Sequence, residues 1–218
     1  MLQDVLDKTE TLLSAPMIES YYHKLSPDPA LEVFKARGYA QSDETTHQLS
    51  TLATLSPFLR TLLLTDGTVT RSLEAFFWEP VDIEQHTLET ITSSQTLPWL
   101  GVQADEELLI REVTLVGQHS RQTYTSAYSL VRLQQIPKSL RQQLVDGGIG
   151  IGVLLSQFDV ESYRELLEVG YCENMKFDGD FSTHSTKSDF IYRSYRIKLG
   201  QEPAVLITEK FPTHLYPA

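Results

Sequence analysis

The sequence predicts an α+β protein: a mostly antiparallel sheet flanked by helices, preceded by an N-terminal helical extension. Three observations predict it. From Leu62 onward the chain turns toward β-branched and alternating segments. Short turns at Gln118–Arg121 and Gly200–Glu202 join neighbouring segments as antiparallel hairpins do. Apolar residues at helical spacing are confined to a few stretches bounded by capping or breaking residues.

Taken in order, Leu2, Val5, Leu6, Leu12 and Leu13 fall on one helical face, so residues 2–14 form an amphipathic helix that stops before Pro16. A second helix starts at Pro29, with Asp28 as its cap and Gly38 as its left-handed end. Residues 40–50 are polar and read as a linker. These segments make up an extension over residues 1–58, and the main domain spans 59–218.

The main domain opens with a turn at Asp66-Gly67 and a short helix over Thr70–Phe77. Strands are expected at 80–85, 87–93, 108–117, 122–133, 190–199 and 203–211. Helices are expected from Pro137 to Val145 and from Val160 to Val169, the second ending at Gly170, with a glycine-rich turn at 147–152 between them. Residues 172–188 show little periodicity and read as a surface loop or as a lid over a pocket.

Composition narrows the function. The chain has 218 residues, 41% apolar and 22% charged, enough for one substantial core. A formal charge of −11 and the lack of any Lys/Arg cluster exclude a nucleic-acid partner, because phosphate binding needs such clusters. An anionic ligand would need locally placed arginines to overcome that field. No apolar run reaches the length of a membrane span, and Arg60 breaks the stretch Phe58–Leu64. The one cysteine, Cys172, has no intrachain partner and the N-terminus has no signal-peptide pattern, so a cytoplasmic location is expected.

Two charged residues lie on apolar strand faces. Arg111 alternates with Leu109, Val113 and Leu115, and a guanidinium there is costly to desolvate unless an anion meets it. That anion is either a buried Glu or a ligand carboxylate held bidentately. Glu209 shares a face with Val205, Ile207 and Phe211. It either neutralises Arg111 or Arg196, or faces a ligand with its pKa raised by apolar surroundings.

Other motifs give little. The run Gly147–Gly152 lacks the strand before it, the helix after it and the acidic residue downstream that a dinucleotide fingerprint needs. It is a tight turn, or a turn that offers backbone N–H groups to a carboxylate. The six histidines have no zinc-site spacing, so no metal is expected, and no nucleophile elbow is present.

Five segments in order resemble the chorismate pyruvate-lyase family: Leu63–Glu74, Arg111–Val113, Gly150–Gly152, Tyr192–Arg196 and Ile207–Pro212. The match covers residues 60–212. The resemblance implies a six-stranded antiparallel sheet around a small internal site. It also implies conversion of chorismate to 4-hydroxybenzoate and pyruvate with no metal and no cofactor. By the same resemblance Arg111 grips the ring carboxylate and Glu209 faces the ring hydroxyl, while Val69 and Ile151 contribute backbone amides. Both of those positions carry other side chains in the family. Chorismate has a second carboxylate, for which Arg196 is the candidate; Arg193, three residues away, points to the opposite face of a regular strand.

The expected function is therefore a chorismate lyase that supplies quinone or related aromatic biosynthesis. Glu209 either assists removal of the C4 proton or holds the C4 hydroxyl while the enolpyruvyl group takes that proton. Two other readings compete: a non-catalytic sensor of small aromatic acids, and a variant lyase that releases a different aromatic acid. No basic recognition helix supports the sensor.

Overall fold

The computed structural model describes residues 55–94, 96–146, 148–176 and 187–217. The helices expected at 2–14 and from Pro29, and the linker at 40–50, lie outside the described residues. The first described helix, α1 (Pro57–Leu64), crosses the proposed junction between extension and main domain. Pro57 suits its first turn, where an N–H would have no partner, and Ser56 Oγ accepts from the Leu59 amide at 3.2 Å.

Helix α2 (Val69–Phe77) follows a turn at Thr65–Thr68 and stops at Trp78, whose φ of 58° is left-handed. Next come strand β1 (Val81–Thr92), strand β2 (Glu107–Gly117) and strand β3 (Thr123–Val131). Helices α3 (Lys138–Asp146) and α4 (Ile151–Gln157) lead into strands β4 (Ser162–Lys176), β5 (Lys187–Leu199) and β6 (Glu202–Pro212). The six strands form one sheet in the order β1-β2-β3-β6-β5-β4, and every pairing is antiparallel. This is the α+β sheet expected from sequence.

The four described helices pack on the same face of the sheet. Leu59, Leu62, Leu73, Leu140, Leu144, Leu154 and Leu155 join Leu109, Val113, Ile197, Val205 and Ile207 in one core cluster. Leu62, Leu73 and Leu154 are fully buried, and burying each such side chain contributes about 1.5–3 kcal/mol. The other face carries a smaller cluster in which Leu97, Leu100 and Val102 cover Leu108, Ile110, Leu130 and Leu206.

Several expected elements need correction. The strands at 80–85 and 87–93 are one strand, β1, interrupted by a bulge between Gln85 and Thr87. Residues 160–169 are not a helix: β4 runs through them, with bulges between Leu166 and Glu168 and between Cys172 and Met175. A strand bulge turns two successive residues to one face, so Leu166, Leu167 and Val169 lose the period of two and imitate a helical stripe. Of the loop expected at 172–188, residues 172–176 belong to β4 and 187–188 to β5, and residues 177–186 lie outside the described residues. After the glycine turn comes helix α4, where the sequence indicated no helix.

The β2–β3 hairpin is fastened to the end of α2 by Glu79. Its Oε2 accepts from the His119 and Ser120 amides at 2.7 and 3.0 Å, and its Oε1 accepts from the Tyr124 hydroxyl. The Phe77 ring stacks on Tyr124 at 3.7 Å between centroids. Gly117 is required here because a Cβ would lie 2.4–2.5 Å from Ser120 Oγ, Glu79 Oε1 and Tyr124 Oη.

The Tyr124 hydrogen bond, with those of Ser120 and His119, lowers the Glu79 pKa from 4.5 to about 2. A depressed carboxylate pKa stabilises the fold fully above pH 4.5, and the contribution is lost as pH falls toward 2. Glu79→Gln is expected to be less stable than wild type at pH 7, with the gap closing between pH 4.5 and 2. Urea unfolding across that range measures it, and a gap independent of pH would contradict the assignment.

Candidate active site

Between the sheet and the first turns of α2 and α4 lies a partly open cavity of about 70 Å³. Its sheet wall is built from the inward faces of all six strands, with Ile83 contributed by β1. Strand β2 supplies Arg111, Val113 and Leu115; β3 supplies Ala127 and Ser129; β6 supplies Ile207 and Glu209; β5 supplies Tyr195 and Ile197; β4 supplies Arg164. The helix side carries Gly67–Thr70 and Gly150–Val153. Alternation along β2 and β6 dictates that Arg111 and Glu209 both point inward, as the sequence pattern indicated.

Register sets their separation. Arg111 pairs with Ser129, which pairs with Ile207, whereas Glu209 pairs with Ala127, which pairs with Val113. The two residues are thus two strands and two residues apart, about 12 Å between backbones at standard strand spacings. The strand between them carries only Ala127 and Ser129 toward the cavity, and these short side chains leave room for a flat ligand.

Arg111 is 2% exposed, and burial lowers its pKa from the ordinary value. Its Nη2 donates to the Ile149 carbonyl at 2.6 Å, which ties β2 to the turn before α4. Its Nε is buried without a hydrogen-bond partner among the described residues. Such a group favours an incoming carboxylate.

Both oxygens of Glu209 are held. Oε2 accepts from Arg193 Nε at 2.7 Å and Oε1 from the Tyr195 hydroxyl at 3.2 Å. Arg193 Nη1 also donates to the Thr65 carbonyl at 2.8 Å. Burial alone would lower the Arg193 pKa, but Glu209 and Tyr195 beside it raise it above its ordinary value. Burial, reinforced by the Glu209 charge, raises the Tyr195 pKa, so its hydroxyl stays a hydrogen-bond donor.

The first turns of α2 and α4 place Val69 and Ile151 at the cavity. Neither helix has a side-chain cap on its first amides among the described residues, so those N–H groups remain available to an acceptor.

The structure does not bring Arg196 to this cavity. Its guanidinium lies on the opposite sheet face, where Nε and Nη2 donate to Glu165 at 2.6 and 3.0 Å and Nη1 donates to the Trp99 carbonyl. The inward residues along this part of β5 are Arg193, Tyr195 and Ile197. Arg164 was also missed by the sequence reading, because a helix was expected where β4 runs. Among the described residues no group of three or more His, Cys, Asp or Glu could hold a metal ion. No described helix is long and apolar enough to cross a membrane.

Comparison with known proteins follows the same lines. The chain is similar to the chorismate pyruvate-lyase of Mycobacterium leprae (strain TN), 26% identical over 153 residues, spanning 70% of this chain and 73% of that protein. It is 22% identical over 156 residues to the chorismate pyruvate-lyase of Mycobacterium tuberculosis (strain ATCC 25618 / H37Rv), spanning 70% and 78%. Its fold is similar to the effector domain of PhnF from Mycobacterium smegmatis, with a TM-score of 0.53 at 10% identity, covering 69% of this chain and 91% of that one. Residues 63–217, which include every wall of the cavity, match the family described as chorismate pyruvate-lyase Rv2949c-like, and the chain belongs to that family.

Proposed function

We propose that this chain is a chorismate lyase, converting chorismate to 4-hydroxybenzoate and pyruvate for quinone or related aromatic biosynthesis in the cytoplasm. One observation carries the reading: a buried cation, Arg111, and an acid, Glu209, line one cavity across a floor of small side chains. A flat ring with a carboxylate at one end and a hydroxyl at the other fits between them. Arg111 receives the ring carboxylate, supported by the amides of the α4 first turn. Glu209 receives the C4 hydroxyl on a lone pair left open by Arg193 and Tyr195.

The chemistry asks little beyond orientation. The C3–O bond breaks, the C4 hydrogen leaves, and the ring becomes aromatic, so the driving force lies in the substrate. The enolpyruvyl oxygen becomes the ketone of pyruvate, and the proton lost from C4 ends on its methyl carbon. Glu209 already accepts from a guanidinium and a phenol, which favours a role in fixing the ring hydroxyl. The enolpyruvyl methylene then takes the C4 hydrogen directly. An attraction of about 4 kcal/mol between Arg111 and a carboxylate 4 Å away, at an effective dielectric near 20, suffices to anchor the ring.

The decisive assay incubates the full chain with chorismate and follows pyruvate and 4-hydroxybenzoate. Binding of aromatic acids with no turnover would establish the sensor instead, and pyruvate with another ring product would establish a variant lyase. Arg111→Ala is expected to lower kcat/KM by about 10²–10³-fold. Glu209→Gln should also abolish turnover, but it breaks a buried ion pair and should destabilise the fold by about 3–5 kcal/mol. Adding Arg193→Met should recover part of that stability and none of the activity, as read by urea unfolding and pyruvate release. Ala127→Leu should fill the floor of the cavity and remove 4-hydroxybenzoate binding, read by calorimetry, while the fold persists; unchanged affinity would place the ring elsewhere.

A further inference from the structure

We infer that Arg164 holds the second carboxylate of the substrate, with the three-carbon arm that carries it directed toward a small neighbouring cavity. This inference deepens the lyase reading and depends on it. A dianion needs two cationic partners, and the other inward guanidiniums already commit part of their donors to protein acceptors. Arg111 is bound to the Ile149 carbonyl and serves the ring end, and Arg193 is engaged by Glu209 and Thr65. Arg196 lies on the far face of the sheet with Glu165.

Arg164 differs from all of these. It is half-buried, it lines the main cavity, and it makes no hydrogen bond or ion pair among the described residues. Arg132, Arg193 and Arg196, on neighbouring strands or at their ends, each have a carboxylate partner. Partial desolvation of a guanidinium is unfavourable unless an anion offsets it, and within this cavity the ligand supplies that anion. The location is also fixed: a Cβ on Gly152 would fall 2.9 Å from Arg164 Nη2, so the guanidinium packs against the first turn of α4.

Behind Arg164 and Tyr195 lies a second cavity, of about 40 Å³, which these two residues share with the main one. It reaches Leu63–Asp66 at the end of α1, together with Leu166 and Arg193. Arg193 is 2% exposed, and its Nη2 is buried with no hydrogen-bond partner among the described residues. Asp66 contributes an opposing charge, so an anion here depends on the two guanidiniums together. A three-carbon keto acid presents the matching chemistry, one carboxylate and one carbonyl oxygen. Bond cleavage then leaves the pyruvate beside Arg164 and the aromatic product beside Arg111.

The test compares wild type, Arg164→Gln and Arg164→Lys as full chains. Chorismate carries both carboxylates, whereas 4-hydroxybenzoate lacks the second. Arg164→Gln is expected to raise KM for chorismate by about 10- to 100-fold, the effect of losing one charge-assisted hydrogen-bonding partner. Its Kd for 4-hydroxybenzoate should stay within about twofold of wild type, and Arg164→Lys should recover part of the loss. An unchanged KM, or an equal loss of affinity for both molecules, overturns the assignment while leaving the lyase reading intact. If the wild type releases no pyruvate, the lyase reading fails by itself. The Kd values of the same variants for chorismate and 4-hydroxybenzoate then still decide whether Arg164 recognises the second carboxylate.

Discussion

The ion pair between Arg193 and Glu209 is the constraint on which the rest of the site depends. Both side chains are nearly or fully out of solvent, 3% and 10% exposed, so neither charge is well hydrated and each requires the other. The pair lies across directly opposed positions of β5 and β6. Through Thr65 it also anchors the connection from α1 to α2, which carries Val69 to the cavity. One buried interaction therefore orients the acid, the neighbouring phenol and the helix that closes the site from above.

The fold sets the geometry of this cavity but does not determine its chemistry. A similar fold forms the effector domain of PhnF, at 10% identity, where likeness extends to the backbone arrangement alone. In the present chain the cavity is defined by the inward side chains of all six strands. A sheet covered on one face by the described helices offers such positions at fixed spacings, and substitution at them can change the ligand without changing the architecture.

Much of this was legible in the sequence. Strict alternation around Arg111 and around Glu209 put both charges on core faces but left open whether each met a buried partner or a ligand; Glu209 pairs with Arg193, not with Arg111 or Arg196 as the sequence suggested. The errors trace to bulges. Closed at Gly200-Gln201, a regular β5–β6 hairpin would pair Leu199 with Glu202 and continue by the same count, placing Arg196 on the face of Glu209. The register instead shifts by one between Ile197 and Lys198, so Arg193 and Tyr195 take that face and Arg196 leaves it. A bulge at Leu166/Glu168 likewise disguised β4 as a helix and hid Arg164. Such shifts are set by long-range strand pairing, which residue-by-residue patterning does not contain. The helix at Pro57–Leu64 is short and Arg60 interrupts its apolar stretch, so Ser56-Pro57 at its start is its clearest mark in the sequence.

The inward guanidiniums sit inside a chain of formal charge −11, so attraction and repulsion of a dianion operate at different distances. For the dianionic substrate proposed above, the net negative field opposes approach far from the surface, whereas Arg111 and Arg164 would attract it within the cavity. Dissolved ions screen the outer field over about 8–10 Å but reach the interior poorly. Moderate ionic strength should accordingly speed encounter with an anionic substrate while hardly loosening its grip once bound, the reverse of the usual slowing seen when opposite charges steer partners together.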